Sequence, residues 1–207
     1  MIHMQSITTK CSSLLFLYLL ISIGYSQPLK SSSNQADYLM ISPSQFSETL
    51  QPLINLRTNE GLNVKLIDIE QIYDEFLDTL TTNEAIRHFI SYTLQYWEKP
   101  QPKYVLLVGD TNIIPSFRFP SAFADFSRFE EDSVSIDDWY AINIYEQDNL
   151  PDIQLGRFPV VNTIDLNALV QKTVFFETYL KRSDYLNDFV FFTDSVDASL
   201  FESNLLR

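Results

Sequence analysis

The sequence is poor in cysteine, histidine, glycine and basic side chains. Its 207 residues include one cysteine, two histidines and four glycines, and 14 lysines and arginines stand against 27 acidic residues, for a net charge of −13. Binding to nucleic acid or to anionic lipid needs clustered lysine and arginine, so the charge balance argues against both partners. The scarcity of glycine, histidine and cysteine leaves no phosphate-binding loop, no dinucleotide-binding motif and no zinc site.

The one long apolar run lies near the amino terminus. Residues 14–23 are almost entirely apolar, and the small residues Gly24 and Ser26 follow them. The run is too short to cross a bilayer, which takes about 20 residues, but it fits a secretory signal. We therefore predict that residues 1–26 are a signal peptide, that no membrane span remains after cleavage, and that the protein is secreted or held at the cell surface.

Cleavage of this signal also removes the only cysteine, Cys11. The rest of the chain then has no thiol nucleophile and no disulfide, although it enters an oxidising environment. The polar, serine-rich residues 27–36 are expected to form a flexible leader.

The remaining residues alternate apolar runs, typical of buried strands, with segments of helical periodicity. Strands are predicted at residues 37–42, 64–67, 104–108, 152–155 and 189–193, with a further candidate strand at 139–144. Helices are predicted at residues 43–61, 69–77, 81–99, 163–181 and 198–207. This order predicts one α/β domain over residues 37–207, a parallel sheet with helices on both faces. The last helix reaches Arg207 without a cap, so we expect the domain to be incomplete at its carboxyl end.

Three aspartates near the predicted central strand are the main candidates for a site. Asp110 follows the strand at residues 104–108, and Asp148 and Asp152 precede the next predicted strand. Carboxylates together with backbone carbonyls suit calcium, which takes about six to eight oxygen ligands. The alternative is that Asp110 caps a turn while the other two carboxylates are exposed.

Other chemistry has weaker support. His88 lies on a predicted helix whose inward face is formed by Ile86, Phe89 and Ile90, so its side chain is expected to face solvent. The sequence also has no G-x-S-x-G motif for a serine nucleophile. Five acidic residues crowd one stretch and would suit glycoside cleavage by paired carboxylates, although such a run is more often a solvated loop. They are Glu130, Glu131, Asp132, Asp137 and Asp138.

Four stretches, taken in their order and spacing, resemble the gingipain-type cysteine peptidases, which are secreted enzymes with a caspase-like fold. They are residues 37–43 (DYLMISP), residues 104–110 (YVLLVGD) with Ile114-Pro115, residues 150–157 (LPDIQLGR), and the helix that carries Lys172 and Glu177. The resemblance covers the whole chain after the signal and implies the amino-terminal half of the peptidase domain.

The resemblance also implies a structural calcium ion. Its ligands would be Asp110, Asp148 and Asp152, with the carbonyl oxygens of Tyr145 and Leu150. The family often has glutamate where this chain has the shorter Asp152.

The catalytic histidine and cysteine of the family lie downstream of the strand that matches residues 189–193, so no residue of this chain inherits their roles. The complete protein is therefore expected to be a cysteine endopeptidase that acts on protein or peptide substrates with a Cys/His dyad, and this chain alone is expected to be inactive. Two alternatives remain: a non-catalytic binding or surface module of the same fold, and an unrelated exported α/β domain such as a carbohydrate-active enzyme.

Overall fold

A four-stranded parallel sheet organises the part of the chain that the computed structural model describes, residues 27–120 and 133–180. In chain order the elements are β1 (Tyr38–Ser42), α1 (Gln51–Asn59), β2 (Val64–Asp68), α2 (Ile69–Phe76), α3 (Thr82–Tyr96), β3 (Tyr104–Val108), β4 (Phe117–Pro120), β5 (Ser133–Ile136), β6 (Gln154–Phe158) and α4 (Thr163–Phe175). The strand order is β2-β1-β3-β6, and β4 and β5 form a separate antiparallel pair. The predicted signal peptide and the elements predicted at residues 189–193 and 198–207 lie outside the described residues.

Apolar side chains alternate between the two faces of the sheet and bury a helical layer on each side. On one face, Leu39, Ile41 and Leu107 pack in a core cluster with α2 and α3. On the other face, Met40 and Val108 pack in a second cluster with α1 and α4. The predicted α/β class, with a parallel sheet and helices on both faces, is therefore confirmed. No helix of the described residues combines the length and the apolar character needed to cross a membrane.

The start of α3 follows directly from the local sequence. Thr81 precedes the first helical residue, and its backbone N–H donates to Glu84 Oε2 at 2.8 Å. This reciprocal cap satisfies donors that the first turn of a helix leaves without partners. The helix predicted at residues 81–99 therefore begins where the sequence indicated.

Several predicted boundaries differ from the structure. A 3₁₀ turn at Ser44–Phe46 precedes α1, which begins only at Gln51 because Pro52 is tolerated in the first turn of a helix and not in its interior. The first residues of the candidate strand at 139–144 instead belong to a 3₁₀ helix, Asp138–Ala141. The strand predicted at residues 152–155 lies two residues later, as β6.

The segment expected to be a flexible leader is packed against the fold, and we call residues 27–36 the amino-terminal strap. Leu29 is only 1% exposed and belongs to the core cluster around α2 and α3. Its N–H donates to Glu75 Oε1 at 2.8 Å, and its carbonyl accepts from Trp97 Nε1–H at 2.9 Å. The polar composition of the strap concealed this one apolar anchor.

A buried asparagine shapes the strap from within. The Asn34 amide donates to the carbonyl oxygens of Pro28 at 2.8 Å and Ser31 at 3.0 Å, and its Oδ1 accepts from the Lys65 ammonium. Asn34 is 1% exposed, and a buried amide needs such partners because an unsatisfied one is costly. The strap is thus an integral layer of the domain.

We expect Leu29→Ala to lower the free energy of unfolding by about 2–5 kcal/mol, because it leaves a cavity in the core. Urea denaturation of the two proteins measures the difference. Ser32→Ala, a change at an exposed position of the same strap, should alter stability by less than about 0.5 kcal/mol. Equal stability of the two variants would show that the strap does not pack as described.

Candidate functional site at the carboxyl edge of the sheet

Strands β3 and β6 end side by side, and the chain that leaves them forms the candidate site. Val108 is opposite Phe158 in the parallel register, and beyond the strands the Gly109 N–H donates to the Phe158 carbonyl at 2.9 Å. The Asp110 N–H then donates to the Val160 carbonyl at 2.9 Å. Open α/β sheets place their sites at the carboxyl ends of strands, so this edge is where chemistry is expected.

A tight turn after β3 depends on glycine. Gly109 has φ +148°, and a Cβ atom at this position would lie 2.8 Å from Ile113 Cγ2. The chain folds back at once, because the Asp110 carbonyl accepts from the N–H groups of Ile113 at 2.8 Å and Ile114 at 2.9 Å. Asp110 therefore closes this turn through its backbone carbonyl.

The side chain of Arg157, on β6, joins this turn to the rest of the edge. Its Nη1 donates to the carbonyl oxygens of Gly109 at 2.7 Å and Ile114 at 2.8 Å. Its Nε and Nη2 donate to the two carboxylate oxygens of Asp137 at 2.6 Å and 2.8 Å. The Arg157 side chain is 10% exposed and that of Asp137 25%, so this is a largely buried bidentate pair. We call these four residues the Arg157 clamp.

Aromatic side chains next to Asp137 continue the same connection. The buried Tyr140 donates its hydroxyl to the Pro115 carbonyl, and burial raises the pKa of Tyr140, so the phenol stays a donor at neutral pH. Trp139 stacks on Phe117 with ring centroids 4.3 Å apart and an angle of 10°. The strands β4 and β5, which flank this region, are therefore fixed to the carboxyl edge of the main sheet.

Sequence reasoning missed the roles of Arg157 and Asp137. The sequence grouped Asp137 with a stretch of acidic residues expected to be solvated. In the structure its carboxylate instead pairs with Arg157. Asp138 is exposed, and Glu130, Glu131 and Asp132 lie outside the described residues. One signal was available: an arginine inside a strand of a parallel sheet has to find a carboxylate, because an unpaired buried charge is costly.

The structure does not gather the predicted calcium ligands into one site. Asp110 follows β3 at the carboxyl edge, whereas Asp152 immediately precedes the amino end of β6, which lies beside the amino end of β3. Five strand residues at about 3.3 Å each separate these two edges by roughly 16 Å. Within residues 27–120 and 133–180, no three His, Cys, Asp or Glu side chains are grouped to hold a metal ion.

The other predicted ligands belong to a surface loop before β6. Asp148 Oδ1 accepts from the Leu150 N–H at 3.0 Å, and Asp152 Oδ2 accepts from the Asn143 N–H at 3.1 Å. Leu150 is 67% exposed and Tyr145 is 45% exposed. As arranged, the five residues do not fit the shell of about six to eight oxygens that calcium takes, so the calcium site stays a prediction.

We expect Arg157→Met to lower the free energy of unfolding by about 3 kcal/mol, because it leaves the Asp137 carboxylate without its partner. Denaturant unfolding measures the loss, and the double variant Arg157→Met/Asp137→Leu should regain part of it. The matched control is Lys103→Met, because the Lys103 side chain is 71% exposed and its ammonium lies 4.0 Å from Asp37, and this change should cost less than about 1 kcal/mol. A loss no larger than that of the control would contradict a structural role of the clamp.

Three solved structures have a fold similar to that of this chain. The RgpB pro- and mature-domain complex of Porphyromonas gingivalis has a TM-score of 0.53 and 22% identity, over 67% of this chain and 28% of that one. Dimeric latent PorU of the same organism has a TM-score of 0.55 and 18% identity, over 83% and 18% of the two chains. The Arg specific cysteine proteinase gingipain R has a TM-score of 0.52 and 19% identity, over 73% and 30%. At these identities the similarity establishes the fold, and the chain spans less than a third of each of the three.

The family is identified by a comparison of the sequence with family models. No curated protein matches the chain. The model of Peptidase family C25 matches residues 31–205, which includes the second half of the strap, the sheet and the carboxyl edge. The chain therefore belongs to peptidase family C25, the gingipain-type family.

Proposed function

We propose that this chain is the amino-terminal scaffold of a secreted cysteine endopeptidase. The observation that carries the proposal is the match to Peptidase family C25 over residues 31–205. Residues 1–26, which precede this domain, support export, because their apolar run and the small residues after it have the form of a secretory signal. Its substrate class is protein or peptide.

In such an enzyme a cysteine thiolate attacks the peptide carbonyl, and a histidine passes a proton to the leaving amine. After residue 26 this chain contains no cysteine, so the nucleophile has to belong to another part of the protein. The contribution of this chain is to hold the carboxyl edge of the sheet in one geometry. The Arg157 clamp does so by tying β6, the turn after β3 and Asp137 together.

The direct test is hydrolysis of a protein substrate, such as fluorescein-labelled casein, by the product of the reading frame extended beyond codon 207. We expect hydrolysis that is abolished by iodoacetamide, because the thiolate is the nucleophile. The chain of residues 1–207 serves as the matched control, and it should show no activity.

Three other outcomes separate the alternatives. Hydrolysis that iodoacetamide leaves unchanged would overturn the cysteine mechanism. A folded extended protein without peptidase activity would favour a non-catalytic binding or surface module. Hydrolysis by the 207-residue chain alone would place the nucleophile within it and contradict the scaffold role.

We also propose that calcium binds the exposed loop before β6, through Tyr145, Asp148, Leu150 and Asp152 of the five ligands that the family resemblance implies. The supporting feature is the presence of two carboxylates, Asp148 and Asp152, in one loop that also carries the exposed Leu150 and Tyr145. The position of Asp110 at the opposite edge of the sheet argues that it takes no part in the same site.

We expect chelator to lower the thermal midpoint of the protein, because an ion bound only to the native state stabilises it. The response should disappear in Asp148→Asn and persist in Asp110→Asn, with the exposed Asp74→Asn on α2 as a control that also keeps it. Differential scanning calorimetry with and without millimolar EGTA measures these shifts. An unchanged midpoint in the parent protein would refute calcium binding, and loss of the response in Asp110→Asn would restore the original ligand set.

A further inference from the structure

A polar pocket lies between the amino-terminal strap and the start of β2, the edge strand of the sheet. We call it the strap pocket, and it has a volume of about 330 Å³. Its polar lining residues are Gln27, Ser33, Asn34, Gln35, Asn63 and Lys65. Lys65 is the only charged residue of this lining, although acidic residues outnumber basic ones in the chain by 27 to 14. A pocket lined by a cation and by amides and hydroxyls suits an anion.

The position of Lys65 holds its ammonium group beside the strap. Lys65 is opposite Leu39 in the parallel register, and both Leu39 and Ile67, two residues further along β2, belong to the core cluster around α2 and α3. The Lys65 side chain is therefore on the core side of the sheet. Its ammonium lies 5.2 Å from the centroid of the Trp97 ring and donates to Asn34 Oδ1.

This ammonium has no carboxylate partner in the described part of the chain. Burial lowers the pKa of Lys65, and no charged neighbour contributes to that shift. The Asp37 carboxylate, which precedes β1, is engaged elsewhere: its Oδ2 accepts from the Asn63 N–H at 3.0 Å, and its Oδ1 lies 4.0 Å from Lys103 Nζ. A half-buried cation without a counter-charge is stabilised by an anion that binds next to it.

The strap supplies neutral hydrogen-bond donors to the same pocket. Gln27 Nε2 donates to Ser33 Oγ at 2.8 Å, and Ser33 Oγ lies 2.9 Å from Ser31 Oγ. Each hydroxyl carries one proton, and the bond between the two serines uses only one of these protons. The other has no acceptor among residues 27–120 and 133–180, so it is available to a ligand.

We propose that the strap pocket binds a phosphate or sulfate group, with Lys65 as the cation that pairs with it. Such a group has oxygen atoms on all sides, so it accepts hydrogen bonds from the strap and from the side chain on β2 at once. A lysine ammonium pairs with these groups as a point charge. The pocket is as large as the smaller pockets that bind small molecules, so it has room for an ester of the group as well as for the free ion.

Thermal unfolding with inorganic phosphate tests the proposal. We expect about 20 mM phosphate to raise the midpoint of the protein by about 2 °C or more over sodium chloride of equal ionic strength, because a ligand bound only to the native state stabilises it. Lys65→Met should abolish this rise. Lys103→Met, which removes an exposed ammonium, should keep it. No rise in the parent protein, or an equal rise in all three proteins, would overturn the proposal.

A second measurement covers the case in which Lys65→Met lowers stability for other reasons. Lys65→Arg keeps the positive charge and should keep at least part of the rise. In the parent protein labelled with ¹³C-lysine, titration with phosphate should shift the NMR signal of Lys65 Cε, which is identified by its absence in Lys65→Arg. Shifts of the same size for Lys65 and Lys103 would refute a specific site.

The source of the bound group is tested with glucose 6-phosphate and with glucose. A larger rise with glucose 6-phosphate than with inorganic phosphate would support the proposal and assign the group to a phosphate ester. Equal rises would support a site for the group itself. Glucose alone should cause no rise, and a rise equal to that with glucose 6-phosphate would contradict the role of the anion.

Discussion

The guanidinium of Arg157 is the group on which the geometry of the carboxyl edge depends. Its four hydrogen bonds reach three separate parts of the chain: the end of β5 through Asp137, and both sides of the turn after β3 through Gly109 and Ile114. The Arg157 side chain is nine-tenths buried, so water cannot replace an acceptor that moves away, and the loss of one would leave a buried charge unsatisfied. Gly109 provides one of these acceptors, and its φ of +148° and the nearby Ile113 side chain favour glycine at this position.

The two edges of the sheet differ in how completely side chains cover them. The carboxyl edge is closed by the clamp and by Tyr140 and Trp139. The amino edge is bridged by Arg57 and Glu177, and beside it part of a parallel sheet is exposed. Asp110 and Asp152 belong to opposite edges of the sheet.

The sequence alone predicted the fold class and most of the regular elements. The apolar run of β3 and the capping box at Thr81 and Glu84 are local signals, and both elements formed as expected. Boundaries failed where packing overrode the local pattern, as in the residues around Trp139 and Tyr140, whose apolar character indicated a strand but which form a 3₁₀ turn against Pro115. The prediction of a flexible leader was wrong for a similar reason, because one leucine, Leu29, anchors the otherwise polar strap in the core.

The candidate site was predicted less completely than the fold. The sequence by itself determined that β3 ends in Gly109-Asp110, that the chain is strongly acidic, and that no cysteine follows residue 26, because these are properties of composition and of neighbouring residues. Only the tertiary structure decided that Arg157 reaches Asp137, twenty residues away, and that Asp110 and Asp152 stand apart. Such pairings depend on strand order and direction, and these are set by how distant segments share one core rather than by any local pattern.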